Sequence, residues 1–348
     1  MGRTALFRAN ANVQIGTGHL LRSLALAQAW NDAGGEAVLL TEPGAADTEH
    51  WWLDNHFPIE HLTAQTGGIE DARATLQAAQ RIGADWVVVD GFDFGEAYQQ
   101  VVSGGMPHML VIDDYAAQAQ YGADIIVNHN VFGNTGMYKG RADRSELLLG
   151  LQYALLRRQF RNLQIPERTI PMIAHRVLVT MGGSDPLNVS MLVVEALKRS
   201  QVPDLQVTVL LGPANPHHEA FERITNEVPF TLVLRESVLD MVNLITDADA
   251  VVSAGGGTCA ELALLRTPML LLTIAENHAL TVEEYGRQCF AVAGGWFDRF
   301  TPATLAQKID SLLSDYRLRQ SLVDHAASQV DGQGAMRVAN RMWQMSSE

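Results

Sequence analysis

Cysteine is scarce in this sequence, and it is not spaced for metal binding. The 348 residues include two cysteines, Cys259 and Cys289, and neither lies in a Cys-x-x-Cys or mixed Cys/His pattern. Two isolated thiols are typical of a reducing compartment rather than of a disulfide framework. The histidines outside the motifs discussed below also lack ligand spacing. We therefore expect no bound metal and no cofactor.

Long apolar runs and an excess of positive charge are absent too. No uninterrupted apolar segment approaches the ~20 residues that span a bilayer, and a strand-like run begins at Thr4 with no signal segment before it. The formal net charge is −14, which repels nucleic acid and anionic membranes. The sequence thus predicts a cytoplasmic protein with no nucleic-acid partner and no membrane span, and it leaves the oligomeric state open.

What the chain does contain is two series of short apolar runs separated by amphipathic stretches. Hydrophobic residues make up 47% of the sequence, and the runs are continuous rather than alternating, which indicates parallel strands buried on both faces. The first series comprises Thr4–Ala9, Ala37–Thr41, Trp86–Val89, Met109–Ile112 and Ile125–Asn128. The second comprises Val177–Met181, Val207–Leu211, Thr231–Leu234, Val251–Ser253 and Met269–Ile274.

These two series predict two α/β domains, each a Rossmann-like, doubly wound sheet. Residues 1–160 form the first domain and residues 176–348, with helices at the C-terminal end, form the second. The stretch 161–175 has two prolines and no clean period, which is typical of a linker. Ligands bind at the carboxyl ends of such strands, so we expect a cleft between the domains that suits a ligand in two parts.

The turn between the first strand and the first helix carries Gly16, Gly18 and His19. The glycines allow close approach of a ligand. The helix N-terminus disfavours the imidazolium form of His19, and a neutral imidazole is what a general base needs; an ordinary residue of a tight turn is the alternative. A dinucleotide fingerprint would need glycine in place of Leu21, which argues against an NAD-dependent oxidoreductase even though Glu42 ends the second strand. A P-loop and a G-x-S-x-G elbow are both missing.

Two glycine turns in the second half could hold phosphate through backbone amides. The first is Gly182-Gly183-Ser184, for which the alternative is an ordinary turn with Asp185 or Asn188 as a helix cap. The second is Gly255-Gly256-Gly257-Thr258, followed by Glu261. Glu261 could bind ribose hydroxyls or pair with Thr258 in a capping box. Amides that hold a diphosphate remove the need for a metal, so we expect metal-independent activity.

A polar cluster, Asn277-His278, follows the strand Met269–Ile274 and is a further candidate for the ligand site. Its alternative is a solvated loop in which Asn277 caps the next helix.

Residues Ile15–Arg22 resemble the I-G-x-G-H-x-x-R motif of the nucleotide-sugar hydrolases of pseudaminic acid synthesis, which act on UDP-2,4-diacetamido-2,4,6-trideoxy-β-L-altropyranose. The relatives of that family include spore-coat polysaccharide proteins and, more distantly, MurG-type glycosyltransferases of the GT-B fold. The resemblance covers nearly the whole chain and continues in four further stretches: Leu148–Arg157, Val179–Pro186, Leu211–His217 and Asp331–Ala335.

The resemblance implies a GT-B-like fold and a UDP-sugar substrate, with UDP in the second domain and the sugar near His19. It implies hydrolysis at the anomeric carbon, with His19 activating water, to give free sugar and UDP. The substrate-binding residues so implied are Asn10, Gly16, Gly18, Arg22, Asp90, Asn277 and His278. The nucleotide-binding residues are Gly182, Gly183, Ser184, Val238, Met241, Gly255, Gly256, Gly257, Thr258 and Glu261, with Val238 and Met241 offering backbone groups to the uracil.

Several positions depart from the family pattern and leave the exact sugar open. Asn10 stands in place of an aspartate, Gly91-Phe92 in place of a polar residue and a tyrosine, Ala260 in place of a tryptophan and His278 in place of a glutamine. Two other activities remain open on the same fold: a glycosyltransferase that uses the same UDP-sugar donor, and a non-catalytic nucleotide-sugar-binding protein.

Overall fold

The computed structural model describes residues 2–11, 17–43, 46–161, 163–165, 168–212, 215–236, 240–327 and 329–347. The chain divides into two compact units. Unit 1 comprises Met1–Arg161 together with Gly332–Glu348, and unit 2 comprises Asn162–Asp331. Within the described ranges, no helix is long and apolar enough to cross a membrane.

Unit 1 is built on a seven-stranded parallel sheet with strand order β3-β2-β1-β4-β5-β6-β7. The strands are β1 (Thr4–Ala9), β2 (Glu36–Thr41), β3 (Ile59–His61), β4 (Trp86–Asp90), β5 (His108–Ile112), β6 (Ile125–Asn128) and β7 (Glu146–Leu149). The helices are α1 (Gly18–Asp32), α2 (Ala46–Asp54), α3 (Ile69–Ile82), α4 (Glu96–Ser103) and α5 (Arg158–Arg161).

Both faces of this sheet are covered, as the continuous apolar runs predict. Along β1, Ala5, Phe7 and Ala9 belong to one hydrophobic core, while Leu6 between them belongs to another. Successive side chains of a strand point to opposite faces, so each face of the sheet has its own core.

Unit 2 is built on a six-stranded parallel sheet with strand order β10-β9-β8-β11-β12-β13. The strands are β8 (Arg176–Thr180), β9 (Gln206–Leu211), β10 (Thr231–Glu236), β11 (Ala250–Ala254), β12 (Met269–Thr273) and β13 (Val292–Trp296). The helices are α6 (Val189–Leu197), α7 (His218–Ile224), α8 (Met241–Asp247), α9 (Thr258–Leu264), α10 (Ala279–Arg287), α11 (Pro302–Ser314) and α12 (Tyr316–Ala326). The predicted class, two doubly wound α/β sheets, is confirmed.

The last helix, α13 (Gly334–Met345), lies in unit 1, although the sequence placed residues 176–348 together. Its buried face packs on α1, and the Trp343 ring lies 5.3 Å from that of Trp30. The buried residues of this face are Ala335, Val338, Ala339 and Met342. The two alanines let the helices approach closely. Periodicity shows that a helix has an apolar face, but it does not say which sheet that face covers.

The predicted linker, residues 161–175, is also more structured than expected. Ile170 and Ala174 are buried, and the Ala174 amide donates to the carbonyl of Leu313 at 2.9 Å. The buried guanidinium of Arg319 donates to the carbonyls of Pro171 (2.5 Å) and Met172 (3.0 Å). The described part of this stretch is therefore fixed to unit 2, and Arg161 belongs to unit 1.

Candidate functional site

A cluster of ionisable side chains lies at the carboxyl edge of the sheet in unit 1. Asp90 is the last residue of β4, Asp114 follows β5 by two residues, and His19 and Arg22 lie in the first two turns of α1. The carboxyl ends of parallel strands share one edge, and a helix that follows β1 begins there as well. Residues from three separate parts of the sequence are thereby brought into contact.

His19 is held through one ring nitrogen by a buried carboxylate. Its Nδ1 lies 2.7 Å from Oδ1 of Asp90, which is fully buried. Arg22 Nη2 also lies 3.0 Å from His19 Nδ1, but its donors are directed at Asp90 and Asp114. An ionised carboxylate only accepts hydrogen bonds, so we assign the proton to Nδ1. Nε2 then carries the lone pair and has no hydrogen-bond partner among the described residues.

Arg22 forms a two-pronged ion pair with each of two aspartates. It donates to Asp90 through Nε (2.8 Å) and Nη2 (2.6 Å), and to Asp114 through Nη1 (2.8 Å) and Nη2 (3.0 Å). Burial raises the pKa of each carboxyl, but Arg22 outweighs that effect and holds both pKa values below their usual range. Both aspartates are ionised, so the cluster carries one net negative charge when His19 is neutral.

His129 and Asn130 complete the cluster after β6. Asn130 Nδ2 donates to Asp114 Oδ1 at 2.8 Å. Burial, with a smaller contribution from the Arg22 charge, lowers the pKa of His129 to about 4, so this ring is neutral near pH 7. Its Nε2 is buried and has no partner within the described part of the chain.

A row of three aromatic rings borders the ionisable cluster. Phe92 follows β4, and its ring meets that of His19 edge-on at 4.9 Å. Tyr115 lies 6.1 Å from Phe92 and stacks on Phe132 at 6.0 Å. Phe92 is 50% exposed. The edge of the sheet therefore offers a ligand an apolar surface directly beside His19.

In unit 2, the turn between β11 and α9 contains three glycines, and packing explains only the first of them. A Cβ on Gly255 would lie 2.6 Å from Val282 Cγ2, so packing requires glycine there. A Cβ on Gly256 would meet only His278 Nε2, at 3.7 Å, and one on Gly257 would meet nothing within 4 Å. Packing within the described chain therefore does not explain the last two glycines, which leave the backbone open to a ligand.

The same turn lies against the polar cluster that follows β12. His278 ends a short 3-10 helix, Glu276–His278, and its Nδ1 is buried with no partner in the described ranges. Burial lowers the pKa of His278 to about 4, so the ring is neutral. Asn277 is exposed. α9 begins at Thr258, with Gly257 at the N-cap position, so Thr258 does not hold the capping-box position that the alternative for Glu261 required.

The turn after β8 combines a glycine of positive φ with an acidic helix cap. Gly182 has φ +87°, and a Cβ on Gly212 would meet the backbone of Gly183. The buried Asp185 accepts from the amides of Val189 (2.8 Å) and Ser190 (2.9 Å). Asp185 therefore caps α6, which is the alternative that the sequence left open for this turn. A phosphate bound here could accept from the backbone amides of Gly182–Ser184, but not from the α6 amides that Asp185 already occupies.

The other predicted residues have structural roles of their own, line no cluster with a side chain, or lie outside the described residues. Asn10 is buried, and its Oδ1 accepts from Arg8 Nη1 (2.5 Å) and the Glu42 amide (3.0 Å), which makes it a link between strand ends. Gly18 begins α1, where a Cβ would meet nothing within 4 Å. Met241 is buried at the start of α8. Gly16 and Val238 lie outside the described residues.

Sequence reasoning missed Asp114, His129 and Asn130. The signal was available, because Asp113-Asp114 and Asn128-His129-Asn130 follow two apolar runs directly. The same argument had singled out Asn277 and His278. Among the described residues, no group of three or more His, Cys, Asp and Glu side chains could hold a metal ion.

Comparison with solved structures assigns the fold. MurG of Acinetobacter baumannii superposes with a TM-score of 0.67 at 15% identity, over 98% of this chain and 99% of that one. S. aureus MnaA, in a co-structure with UDP, gives a TM-score of 0.69 at 12% identity, over 99% and 98%. Together with the two parallel sheets, these likenesses define a protein of the GT-B fold.

Comparison of the sequence with protein families and with single proteins adds one family match and two relatives. Residues 176–329 match the glycosyltransferase family 28 C-terminal domain. The spore coat polysaccharide biosynthesis protein SpsG of Bacillus subtilis (strain 168) is 31% identical over 211 residues, 60% of this chain and 58% of that protein. The chain thus spans less than two thirds of that relative. The UDP-2,4-diacetamido-2,4,6-trideoxy-beta-L-altropyranose hydrolase of Campylobacter jejuni is 19% identical over 291 residues, 82% and 97% of the two chains.

Proposed function

We propose that this protein hydrolyses a UDP-activated sugar at the anomeric carbon, in the synthesis of a pseudaminic-acid-like sugar. The observation that carries the proposal is the pair formed by His19 and Asp90, in which Nδ1 is held at 2.7 Å and Nε2 is uncommitted among the described residues. A histidine oriented by a buried carboxylate is the arrangement of a general base.

In the proposed reaction, His19 Nε2 accepts a proton from water as the water oxygen bonds to the anomeric carbon. The bond between that carbon and the diphosphate oxygen breaks, and its electron pair leaves with UDP. Asp90 stabilises the imidazolium that forms, as the aspartate of a serine-protease triad does. A general base of this kind contributes typically ~10²–10⁴-fold to the rate.

The charges of unit 1 support placing the sugar, rather than the diphosphate, beside His19. The cluster of Arg22, Asp90 and Asp114 has one net negative charge, which repels phosphate. The aromatic row of Phe92, Tyr115 and Phe132 is suited to the C–H face of a neutral sugar ring.

We assign the nucleotide to unit 2, where the family 28 match lies. The open backbone at Gly256 and Gly257 provides amides for the diphosphate, and the neutral His278 lies beside it. Glu261, one turn further along α9, is assigned to the ribose hydroxyls. S. aureus MnaA, a neighbour of the same fold, was solved with UDP, which supports a uridine nucleotide as the ligand.

A glycosyltransferase is the second candidate, and the family 28 match favours it. The two activities share the donor and differ in the attacking group, which is water in one case and an acceptor hydroxyl in the other. Release of UDP only after an acceptor is added would identify the transferase.

The decisive experiment is to incubate the protein with a panel of UDP-, GDP- and CMP-sugars in H₂¹⁸O and to analyse both products by mass spectrometry. Attack at the anomeric carbon places one ¹⁸O in the free sugar and none in UDP. Label in the nucleotide would show attack at phosphorus and contradict the proposal. His19→Asn is the control, because it removes the base while keeping a residue that a helix start tolerates.

Metal dependence provides a separate check. We expect full activity in EDTA, because the proposed diphosphate contacts are backbone amides. Loss of activity in EDTA and its recovery with magnesium would contradict this assignment.

A further inference from the structure

Arg22 is bound by two carboxylates, which is more than its burial requires. One aspartate is enough to neutralise a guanidinium, and Asp90 already binds it through two donors. Asp114 is also buried, at 8% exposure, and removing a carboxylate from water costs several kcal/mol, roughly, unless its partners compensate. The second carboxylate therefore calls for a separate explanation.

The second carboxylate changes the net charge that surrounds His19. With both aspartates present, the Arg22 charge is divided between them and the cluster keeps one net negative charge. When His19 takes up a proton, the cluster becomes neutral. Without Asp114, Arg22 would neutralise Asp90, and protonating His19 would leave a net positive charge at a buried site, which is unfavourable.

Asp114 also fixes the direction in which Arg22 points. Its Oδ1 accepts from Arg22 Nη1 and from Asn130 Nδ2, both at 2.8 Å. Asn130 in turn donates to Asn128 Oδ1 at 3.1 Å. The guanidinium is planar and rigid. When Asp114 holds Nη1 and Nη2, the direction of Nε is fixed as well, and Nε and Nη2 together align the Asp90 carboxylate with His19.

We propose that Asp114 is a positioning residue for the reaction of His19: it binds Arg22, and so keeps Asp90 aligned and prevents Arg22 from cancelling the negative charge that Asp90 presents to His19. It does not itself touch the substrate. The inference rests on the proposed function, because it assumes that His19 is the base. It also reassigns Arg22, which the sequence placed among the substrate-binding residues, to the support of Asp90.

The test is the pH profile of Asp114→Asn. We expect kcat to fall by ~10–100-fold, part of what a general base supplies, and the acidic limb of kcat/KM to move to lower pH. The sign follows because removing a negative neighbour favours the neutral imidazole. The other groups that act on this site are Asp90, Arg22 and the neutral His129. Asp114→Glu restores the charge and should return the limb towards the wild-type position.

The matched control is Asp249→Asn in unit 2. Asp249 is a similarly buried aspartate that binds Arg176 through Nε (3.1 Å) and Nη2 (2.7 Å). This variant loses a two-donor ion pair of a buried aspartate in the other unit, so its acidic limb should stay in place. A fall in kcat with an unmoved limb in Asp114→Asn would show that Asp114 is merely structural and would overturn the proposal.

A measurement without substrate separates this inference from the proposed function. Titration of the ¹⁵N-labelled histidines by NMR, in the full chain, should give a lower midpoint for His19 in Asp114→Asn than in the wild type. That result would stand even if no sugar nucleotide were hydrolysed. Equal midpoints would refute the coupling whatever the activity. If the amide variant does not fold, Asp114→Ser makes the same charge change with a smaller side chain.

Discussion

Replacing Asp90 by asparagine turns one of its two accepting oxygens into an NH₂ group, which donates. Oδ1 accepts from His19 Nδ1 and Arg22 Nη2, and Oδ2 accepts from Arg22 Nε and Ser23 Oγ. Either orientation of the new amide points its NH₂ group at a donor of Arg22. One of the two also turns an N–H towards His19 Nδ1, which moves the imidazole proton to Nε2 and removes the base.

We expect this change to lower activity strongly without unfolding the protein. Loss of the oriented base should lower kcat by ~10²–10⁴-fold. Breaking a buried ion pair costs ~3–5 kcal/mol, and we expect the lower end because Arg22 keeps Asp114 as a partner. Domains commonly have ~5–15 kcal/mol of stability, so the variant should remain folded and can be assayed. Asp85→Asn is the control, since Asp85 accepts from the Thr4 amide near the start of β1, at the other end of the strand from the His19 cluster.

A double-mutant cycle with His19→Ala makes the test specific. If Asp90 acts only through His19, the double variant should be no slower than the slower single variant, as happens for residues that act as a unit. Independent residues would multiply their effects, to a total loss of ~10⁴–10⁸-fold. Multiplication, or wild-type turnover in a folded Asp90→Asn protein, would refute the reasoning.

Three further predictions concern the glycine turn, the buried histidines and the last helix. By calorimetry, Gly256→Ala should weaken UDP binding with no loss of thermal stability, whereas Gly255→Ala should lower the unfolding temperature because its Cβ would clash with Val282. The pKa values of His129 and His278 are about 4 in the folded protein, below the ~6.5 of an unfolded chain. Each histidine should therefore lower the free energy of unfolding by up to ~3 kcal/mol as pH falls from ~6.5 to ~4. His→Gln variants should flatten the measured dependence of that free energy on pH. Met342→Ala should lower the free energy of unfolding of unit 1 by ~2–5 kcal/mol, measured by chemical denaturation. An equal shift in the unfolding transition of unit 2 would contradict the assignment of α13 to unit 1.

Much of the fold was predictable because buried parallel strands are continuous in sequence. β1 runs from Thr4 to Ala9 in both the prediction and the structure. Two of the three missed strands have weak local signals, since β3 has three residues and β13 contains Gly294-Gly295. Such short or glycine-containing strands form because neighbouring strands offer them hydrogen-bond partners, and a local pattern does not contain that information. The third, β7, contains three consecutive leucines that were overlooked.

The site was predictable in its parts but not in its pairing. His19 was found from the turn in which it lies, and Asp90 from the family resemblance. Their contact joins residues 71 positions apart, and it depends on β4 lying next to β1. Asp114 could have been found from its place after β5, but its pairing with Arg22 depends on a third element and could not. Ion pairing of this kind follows from strand order rather than from spacing along the chain.

The return of α13 to unit 1 has a consequence for the order in which the protein is made. Unit 2 occupies a continuous stretch of the chain, whereas unit 1 cannot be completed until residues 332–348 have left the ribosome at the end of synthesis. Until then the surface of α1 that will contact Ala335, Val338 and Met342 is exposed to solvent. The unit that carries His19 must therefore wait, through the synthesis of all of unit 2, in an unfinished, apolar state that is vulnerable to aggregation and open to chaperones.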